Sequence, residues 1–330
     1  MKSLEFVEYK VLDKLRLIEV EKPVAKSNEV LVQIIATSIN SWDWELFNAI
    51  PFVNRLMFGL FRPKRLKTLG FDIAGCVEAV GNDVTKFKVG DEVYGDLSSA
   101  GWGGFAEYVA VPEHALSIKP SSLSFEQAAA VPQAALLALQ GLMDVGHVQS
   151  GQKIMIIGAS GGSGSFAIQI ARQYDVEITG VCSTSKMDLV RALGADHVID
   201  YTQENFTHLN QTHSHEQYDL IIDAHSHYSL FDYQRLLKPG GIYVMHGGTS
   251  LAMLQILFLA PILSLFGKRK FRILLHKANK GLDMMNELFD AGKVIPVIDK
   301  TFPLADVVEA LRYYGNGNAR GKVVIKIREK

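Results

Sequence analysis

The sequence predicts an α/β protein in which a β-rich domain precedes a domain built on a parallel sheet. Short strand-like runs separated by turn signals fill the N-terminal part of the chain. From Lys153 onward, apolar strand-like runs alternate with segments of helical periodicity, and a glycine-rich turn, GASGGSG, joins the first strand to the first helix. Strands that alternate with helices form a parallel sheet with helices on both faces, which is why this class is predicted.

Composition limits the classes of function. The chain has 330 residues, of which 48% are hydrophobic, so it can bury the cores of two domains. Its formal net charge of −1 argues against bulk electrostatic binding of nucleic acid or of an anionic membrane. The two cysteines, Cys76 and Cys182, lie far apart and predict no disulfide framework, which is typical of a reducing compartment. Because no secretory signal is visible after Met1, we expect a cytoplasmic protein.

The individual elements follow from local patterns. In the β-rich domain, Glu29–Ile39, IAGCVEAVG and EYVAVP are predicted strands. Helical periodicity begins after Ser124, which we expect to form a capping box with Gln127. The closing run RGKVVIKI is expected to return to the first domain as a strand. The strands of the second domain are predicted at KIMIIGA, EITGVCS, HVIDY, YDLIIDA and GIYVMHG.

The glycine-rich turn predicts a dinucleotide site. It stands between a strand and a helix, which is the context that separates a Rossmann fingerprint from a chance match. Glycines let the backbone approach a pyrophosphate, and the helix N-terminus offers unpaired N–H groups to that anion. The pattern is imperfect, because alignment on Gly161 and Gly164 puts Ala159 at the first glycine position. The predicted pyrophosphate contacts are Ser160, Gly161, Gly162, Ser163 and Gly164.

The end of the second strand of this domain favours NADPH over NADH. An acidic residue there usually binds the ribose 2′-hydroxyl of NADH. The strand ends in GVCSTSKMD, which has no Asp or Glu at its tip. Ser183, Thr184 and Ser185 offer hydroxyl donors and Lys186 offers a positive charge, which suits a 2′-phosphate.

One long apolar run, Leu251 to Phe266, is interrupted by Gln255, Pro261 and Ser264 and followed by GKRKFR. It is shorter than a membrane-spanning helix. A buried or interface segment is the favoured interpretation, and no stable membrane insertion is expected. Peripheral contact with a membrane, helped by the basic residues that follow, is the alternative.

These segments together resemble the medium-chain dehydrogenase/reductase superfamily, and within it the zinc-free quinone oxidoreductase-like branch. The resemblance covers essentially the whole chain, with its markers in the family's order. They are SINSWDW, LGFDIAGCVEAVG, FKVGDEVYG, GGFAEYVAVP, AAAVPQAALLALQGL, GASGGSGSFAIQIA, LGADHVIDY, YDLIIDA, LKPGGIYV, GKVIPVIDKTFPL and ARGKVVI. This combination is specific for the fold and says little about the substrate.

The resemblance implies a GroES-like β-rich catalytic domain and a Rossmann dinucleotide-binding domain. It places the catalytic domain at residues 1–122 and 275–330 and the NADP-binding domain at residues 123–274. Members of the family are commonly homodimers joined by edge strands of their cofactor domains, and KFRILLHK is the candidate strand.

Zinc-dependent members of the superfamily place a Cys in the segment that matches INSWDW and a His in the segment that matches GFDIAG. Here those positions hold Asn40 or Ser41, and Phe71. Catalytic zinc needs three protein ligands, and they are not apparent. The histidines of THSHEQYDLIIDAHSH, which include His213 and His215, flank a strand and are not expected to form one site. The resemblance therefore implies chemistry without a metal.

The resemblance also implies roles for particular residues. Asn40 and Asp43 are the candidate catalytic residues, Asn40 as a hydrogen-bond donor and Asp43 as a residue that orders the loop. Ser183, Lys186 and Tyr201 match positions that contact the 2′-phosphate and adenosine. Ala224 and the run His246, Gly247 and Gly248 are expected beside the nicotinamide. Lys322 is either a cofactor contact or a surface residue. Trp42, Trp44, Phe47, Phe52 and Trp102 are either an apolar substrate wall or ordinary core.

The predicted function is NADPH-dependent reduction of quinones or α,β-unsaturated carbonyls by hydride transfer without zinc. Two departures from the family leave an alternative open. Several related enzymes carry Tyr where this chain has Glu45, and often Thr where it has Leu137. An NADPH-binding module with little turnover is therefore the second hypothesis. A membrane-peripheral reductase of lipid-derived alkenals is the third, and a zinc alcohol dehydrogenase is the least favoured.

Overall fold

The computed structural model describes residues 1–64, 66–208 and 217–329. The chain forms two compact units. The first comprises Met1–Ala134, Ala278–Gly292 and Pro296–Lys330, and the second comprises Ala135–Lys277 and Lys293–Ile295. The assignment of domain boundaries at residues 122 and 274 stays a prediction.

The first unit is built on a seven-stranded sheet in the order β14-β15-β3-β4-β5-β7, with β6 paired to β3 and a separate β1-β2 ribbon. The strands are β1 (Lys2–Glu5), β2 (Arg16–Glu19), β3 (Glu29–Ile39), β4 (Asp72–Val80), β5 (Glu92–Asp96), β6 (Tyr108–Pro112), β7 (Ser117–Ile118), β14 (Ile298–Pro303) and β15 (Lys322–Lys326). Its helices are α1 (Ser41–Phe47), α2 (Val53–Phe58), α3 (Phe125–Ala129), α9 (Leu282–Asp290) and α10 (Val307–Gly315).

Strand β3 organises this sheet. Nine of its eleven residues have apolar or small side chains and are buried, and it pairs antiparallel with β4, β6 and β15. The predicted strand Glu29–Ile39 and the predicted return of the closing strand are both confirmed. Since Ser38 lies opposite Asp72 and Ile39 opposite Val323, the residues that follow β3 and begin β4 and β15 meet at one end of the sheet.

The helical segment after Ser124 is interrupted. Ser124 and Gln127 form the expected capping box at the start of α3. The helix stops at Ala129 and a new helix, α4 (Pro132–Gln140), begins at Pro132 and runs into a π-helical turn over Gly141–Val145. Proline lacks the N–H that a continuing helix needs but is well suited to the first helical turn, which explains the break.

The second unit is a Rossmann-type domain on a six-stranded parallel sheet in the order β10-β9-β8-β11-β12-β13. The predicted alternation of strands and helices is confirmed. The strand order reverses beside β8, and ligands of such sheets bind at the carboxyl ends of the strands there. The strands are β8 (Lys153–Ile157), β9 (Glu177–Cys182), β10 (His197–Asp200), β11 (Tyr218–Asp223), β12 (Leu237–Met245) and β13 (Lys270–Ile273). The remaining helices are α5 (Gly162–Ala171), α6 (Met187–Ala192), α7 (Leu230–Leu236) and α8 (Ser250–Gly267).

Short 3-10 turns complete the described secondary structure at Leu12–Lys14, Glu113–Ala115, Thr184–Lys186, Phe206–His208 and Leu304–Asp306. Helix α8 contains the long apolar run. It buries Ala252, Ile256 and Ala260 but leaves several large apolar side chains in solvent, so it is not a buried core helix. Within the described part of the chain, no helix combines the length and apolarity needed to cross a bilayer.

Candidate active site

Asn40, Asp72 and Lys322 form a buried hydrogen-bonded group in the first unit. Their side chains meet because Asn40 follows β3, Asp72 begins β4 and Lys322 begins β15. The Asn40 Nδ2 donates to Asp72 Oδ2 at 3.0 Å. The Lys322 Nζ donates to Asn40 Oδ1 and lies 3.6 Å from Asp72 Oδ2. The three residues are 5%, 0% and 3% exposed, which excludes the surface alternative for Lys322, while its role as a cofactor contact stays a prediction.

These contacts orient the amide of Asn40. Its oxygen accepts from the ammonium of Lys322, and one of the two Nδ2 hydrogens goes to Asp72. Asp72 is held in turn by the backbone N–H of Gln133, 3.1 Å from Oδ1 and 3.2 Å from Oδ2. The second Nδ2 hydrogen of Asn40 takes no part in these bonds and can serve a ligand.

Asp43 connects α1 to a neighbouring loop. Its Oδ2 accepts the backbone N–H of Asn40 at 2.9 Å, and its Oδ1 accepts the backbone N–H of Gly70 at 2.8 Å. The two oxygens of this fully buried carboxyl therefore hold the backbone at Asn40 and at Gly70. The contacts are those of a residue that orders the loop, as the sequence analysis expects, and its place among catalytic residues stays a prediction.

The buried group contains more carboxyls than cations. Burial raises the pKa of Asp43 to about 7 and also raises the pKa of Asp72 to about 7, against the attraction of Lys322. Burial lowers the pKa of Lys322, and the negative charges of Asp72 and Asp43 raise it in part. Asp96, fully buried, adds a further negative charge that raises the pKa of Asp72. Asp43 and Asp72 therefore titrate near neutral pH, because burial disfavours their charged forms and the one ammonium of Lys322 only partly offsets it.

The positions that the resemblance assigns to zinc ligands, Asn40 or Ser41 and Phe71, carry other side chains. Asn40 is bonded to an ammonium group, and Phe71 is fully buried with its ring centroid 4.6 Å from that of Trp102. Over residues 1–64, 66–208 and 217–329, no group of three or more His, Cys, Asp or Glu side chains is arranged to hold a metal ion. His213 and His215 lie outside the described residues.

The predicted aromatic wall divides into buried and exposed members. Phe47 and Trp102 belong to the core of the first unit, and Trp42 and Trp44 pack against that core. The Trp42 and Trp102 rings lie 5.3 Å apart in an edge-to-face arrangement. Phe52 is 62% exposed. Core packing therefore accounts for most of this set.

In the second unit, the glycine-rich turn joins β8 to α5. Gly158 has φ +77°, a conformation that favours glycine, and a Cβ at Gly164 would lie 2.1 Å from the carbonyl oxygen of Gly158. The turn thus requires glycine at both positions, so that the start of α5 can approach it closely. Gly158 is not among the residues predicted from the sequence, because alignment on Gly161 and Gly164 puts the first fingerprint position at Ala159. A glycine directly after the strand was the signal that could have identified it.

The end of β12 contacts the same turn. The Nε2 of His246 lies 2.9 Å from the Oγ of Ser163. Burial lowers the pKa of His246 to about 4, with His225 acting in the same direction, so the imidazole is neutral near pH 7. Gly247 packs so closely on Ala224 that a Cβ would lie 2.4 Å from the Ala224 carbonyl oxygen. Ser163, Ala224, His246 and Gly247, all predicted from the sequence, are therefore neighbours.

The loop after β11 is held by a carboxylate that the sequence analysis did not single out. The fully buried Asp223 accepts from the Tyr243 hydroxyl at 2.8 Å and from the His225 backbone N–H at 2.8 Å. The Ser226 Oγ lies 2.6 Å from the Tyr243 hydroxyl oxygen, and Ser226 forms a bridge to Gly248. Burial raises the pKa of Asp223. This network explains why the ends of β11 and β12 stay together.

The residues predicted to recognise the 2′-position lie at the ends of β9 and β10. Ser183 follows β9, Thr184 and Lys186 form the next turn, and Tyr201 follows β10 with 52% exposure. Asp200, which the sequence analysis passed over, accepts a hydrogen bond from the hydroxyl of Thr184. Thr184 is therefore engaged within the protein, and the roles of Ser183, Lys186 and Tyr201 toward a cofactor stay predictions. Ser160, in the turn, is buried at 6% exposure.

Comparisons with known proteins agree with this fold. A family model described as "Alcohol dehydrogenase GroES-like domain" matches residues 26–121, and one described as "Zinc-binding dehydrogenase" matches residues 193–325. The 2-methylene-furan-3-one reductase of Solanum lycopersicum is 35% identical over 98% of this chain and 79% of its own length. The chain belongs to the medium-chain dehydrogenase/reductase superfamily, in its quinone oxidoreductase-like branch.

Two further relatives of this superfamily bear on the chemistry. The chloroplastic NADPH-dependent alkenal/one oxidoreductase of Arabidopsis thaliana is 32% identical over 98% of this chain and 79% of its own length. The solved structure of a quinone oxidoreductase from Coxiella burnetii superposes with a TM-score of 0.85, at 28% identity and 99% coverage of both chains. The family consists of oxidoreductases that use a nicotinamide cofactor. The expected GroES-like and Rossmann-type domains are confirmed.

Proposed function

We propose that this protein is an NADPH-dependent reductase of quinones and α,β-unsaturated carbonyls such as enones and alkenals. The observation that carries the proposal is the buried Asn40 amide, oriented by Lys322 and Asp72 with one N–H unused in that network. Asn40 is one of the two residues, with Ser41, to which the resemblance assigns the position of a zinc ligand in zinc-dependent relatives. An oriented amide donor suits an acceptor whose carbonyl oxygen gains negative charge by hydride addition to a conjugated carbon.

The glycine-rich turn fits a dinucleotide. A Cβ at Gly164 would clash with the carbonyl oxygen of Gly158, so only glycine allows the turn to be this tight. The neutral His246 holds the Ser163 side chain. Ser160, Gly161, Gly162, Ser163 and Gly164 would hold the pyrophosphate at the start of α5. When bound, the cofactor supplies the hydride. Ala224 and His246 to Gly248 would line its nicotinamide side.

The chain's own residues would orient the acceptor and exclude water. The amide of Asn40 donates a hydrogen bond to the developing oxyanion, and Lys322 and Asp72 keep that amide from rotating. Asp43 maintains the position of Asn40 by holding the backbone at residues 40 and 70. The proton that completes the reduction comes from solvent.

We infer NADPH rather than NADH from the ends of β9 and β10. Ser183, Lys186 and Tyr201 offer donors and positive charge to a 2′-phosphate. The carboxylate of Asp200 is occupied by the hydroxyls of Thr184 and Thr202 and by the Thr202 backbone N–H, so its charge is partly satisfied within the protein.

We also propose a cytoplasmic homodimer without stable membrane insertion. Strand β13 ends one side of the six-stranded sheet, and in the described residues only β12 pairs with it. Its outer edge is available for a second copy to extend the sheet.

The test is consumption of NADPH and NADH by metal-stripped protein with a panel of quinones, 2-alkenals and enones. Turnover that prefers NADPH supports the proposal and ranks the substrates. Tight NADPH binding without turnover of any panel member would favour the binding-module hypothesis and direct attention to Glu45 and Leu137. Activity that requires added zinc would overturn the metal-free assignment.

A further inference from the structure

Helix α8 presents an apolar face that the second unit does not cover. The buried side of the helix contributes Ala252, Ile256 and Ala260 to the core. The opposite side is apolar as well, with Phe258 71% and Leu251 65% exposed. A contiguous exposed apolar face of this kind marks an interaction site in soluble proteins. The exposed side chains, which we call the α8 surface, are Leu251, Met253, Leu254, Leu257, Phe258 and Ile262.

The chain segment that contains α8 carries charged residues of one sign only. No Asp or Glu occurs between Asp232 and Asp283, although the whole chain has 35 acidic residues. The same interval contains many basic residues, and Lys268, Arg269, Lys270 and Arg272 follow the helix directly. Lys268 and Lys270 are exposed. An apolar helix face with adjacent lysines is the pattern of a segment that lies in a lipid headgroup region.

The first unit carries a second surface with the same composition. Around α2, six large apolar side chains are exposed, and Phe61 reaches 83%. No acidic residue occurs between Glu45 and Asp72, while Arg55, Arg62 and Lys64 lie within that interval. The exposed side chains, which we call the α2 surface, are Ile50, Phe52, Leu56, Met57, Leu60 and Phe61.

We propose that this protein docks peripherally on the surface of an anionic lipid bilayer through the α8 surface, and that the α2 surface is a separate contact of the same kind, tested independently. Apolar side chains would enter the headgroup and acyl boundary, and the neighbouring lysines and arginines would meet lipid phosphates. The chain as a whole has almost no net charge. Attraction to anionic lipid would therefore come from the two sequence segments around these surfaces, which contain basic residues but no acidic ones. The proposal does not depend on the reductase activity.

For the exposed apolar side chains of the α8 and α2 surfaces, a lipid surface fits better than a second copy of the chain. The homodimer proposed above would use the backbone edge of β13 instead. A symmetric dimer interface joins a patch to itself, which would bring two sets of basic residues together without acidic partners. Anionic phosphates supply the missing negative charge. Docking of this kind needs no membrane-spanning helix, in agreement with the described part of the chain.

The first experiment is flotation of the full chain with vesicles. One set contains phosphatidylcholine alone, and the other contains phosphatidylcholine mixed with phosphatidylglycerol. We expect a partition coefficient about tenfold higher on the anionic vesicles, falling as salt is raised, since attraction of each basic residue to the surface is screened within a Debye length. Equal binding to both sets, or binding to neither, overturns the proposal.

Matched variants locate the contact. Leu254→Ser with Phe258→Ser removes apolar contacts from the α8 surface, and Lys268→Glu with Lys270→Glu reverses its charge. Each pair should lower binding to anionic vesicles by about tenfold. The same test on the α2 surface uses Leu56→Ser with Phe61→Ser.

The controls change equally exposed residues elsewhere. Val89→Ser with Ile295→Ser is the apolar control, and Lys86→Glu with Lys293→Glu is the charge control. Both control variants should bind vesicles as the parent protein does. All variants should have the unfolding temperature of the parent protein. If the surface variants bind like the controls, the proposal fails. The lipid proposal also fails if the parent protein does not bind vesicles and the surface variants convert its dimer to a monomer. In that case a second copy of the chain covers these surfaces.

Discussion

The Nε2 of His246 lies 2.9 Å from the Oγ of Ser163, which connects the end of β12 to the glycine-rich turn after β8. Two strands that are not neighbours in the sequence thus position one side chain of the predicted pyrophosphate site. Burial lowers the pKa of His246 to about 4, so the imidazole in this contact stays neutral between pH 6 and 8.

Replacement of His246 should weaken cofactor binding without unfolding the protein. We expect His246→Ala to raise the Kd for NADPH about fivefold, because Ser163 loses the hydrogen bond that orders its side chain. Fluorescence titration between pH 6 and 8 measures this, and the ratio to the parent protein should stay constant over that range. His114→Ala, an exposed residue of the first unit, is the control. A ratio that changes with pH would contradict a neutral His246.

Removal of the charge of Lys186 should alter cofactor preference. We expect Lys186→Ala to weaken NADPH binding about tenfold and to leave NADH binding within about twofold, since only NADPH carries the 2′-phosphate. The Kd values for both cofactors provide the measurement. Arg191→Ala, in α6 nearby, is the control for general loss of positive charge. If Lys186→Ala weakens the binding of NADPH and NADH equally, Lys186 does not contact the 2′-phosphate.

Loss of the buried ammonium should destabilise the first unit in a pH-dependent way. Lys322→Met leaves Asp72 and Asp43 without their cation, which we expect to cost about 3 kcal/mol in the free energy of unfolding at pH 8. At pH 5 the cost should be smaller, because carboxyls whose pKa is about 7 are protonated there and need no cation.

Denaturant unfolding at the two pH values tests this. Lys326→Met, on the same strand but bonded to the exposed Glu329, should cost less than about 1 kcal/mol at either pH. A loss of stability from Lys322→Met that is the same at pH 5 and pH 8 would show that the ammonium does not compensate the buried carboxyls.

Glu45 should make the protein less stable as the pH rises. Burial raises its pKa to about 7 from an ordinary value of 4.5. Between these values the folded protein holds a proton that the unfolded chain releases, so the free energy of unfolding falls as pH increases through that window. Glu45→Gln should therefore stabilise the protein by about 1 to 2 kcal/mol at pH 8 and change little at pH 4.5.

The measurement is again denaturant unfolding across this pH range. Glu287→Gln, on the exposed side of α9, is the matched control and should change stability little at any pH. If Glu45→Gln gives the same difference at pH 4.5 and pH 8, the carboxyl does not titrate in the folded state between these values.

The sequence predicted the elements with strong local signals. The buried strand β3, the capping box of Ser124 and Gln127, and the strand-turn-helix unit at the glycine-rich turn each depend on a few consecutive residues. The helix break before Pro132 also has a local cause, although the helical periodicity across it concealed the break.

By itself, the sequence determined the fold class, the location of the dinucleotide turn and the membership of the superfamily, because periodicity and short motifs are properties of neighbouring residues. Only the tertiary structure decided that Lys322 is buried against Asn40, a residue 282 positions away, and that one face of α8 stays in solvent. Both depend on which strands and helices become neighbours. The same packing also sets the desolvation that moves the pKa of Asp43, Asp72 and His246.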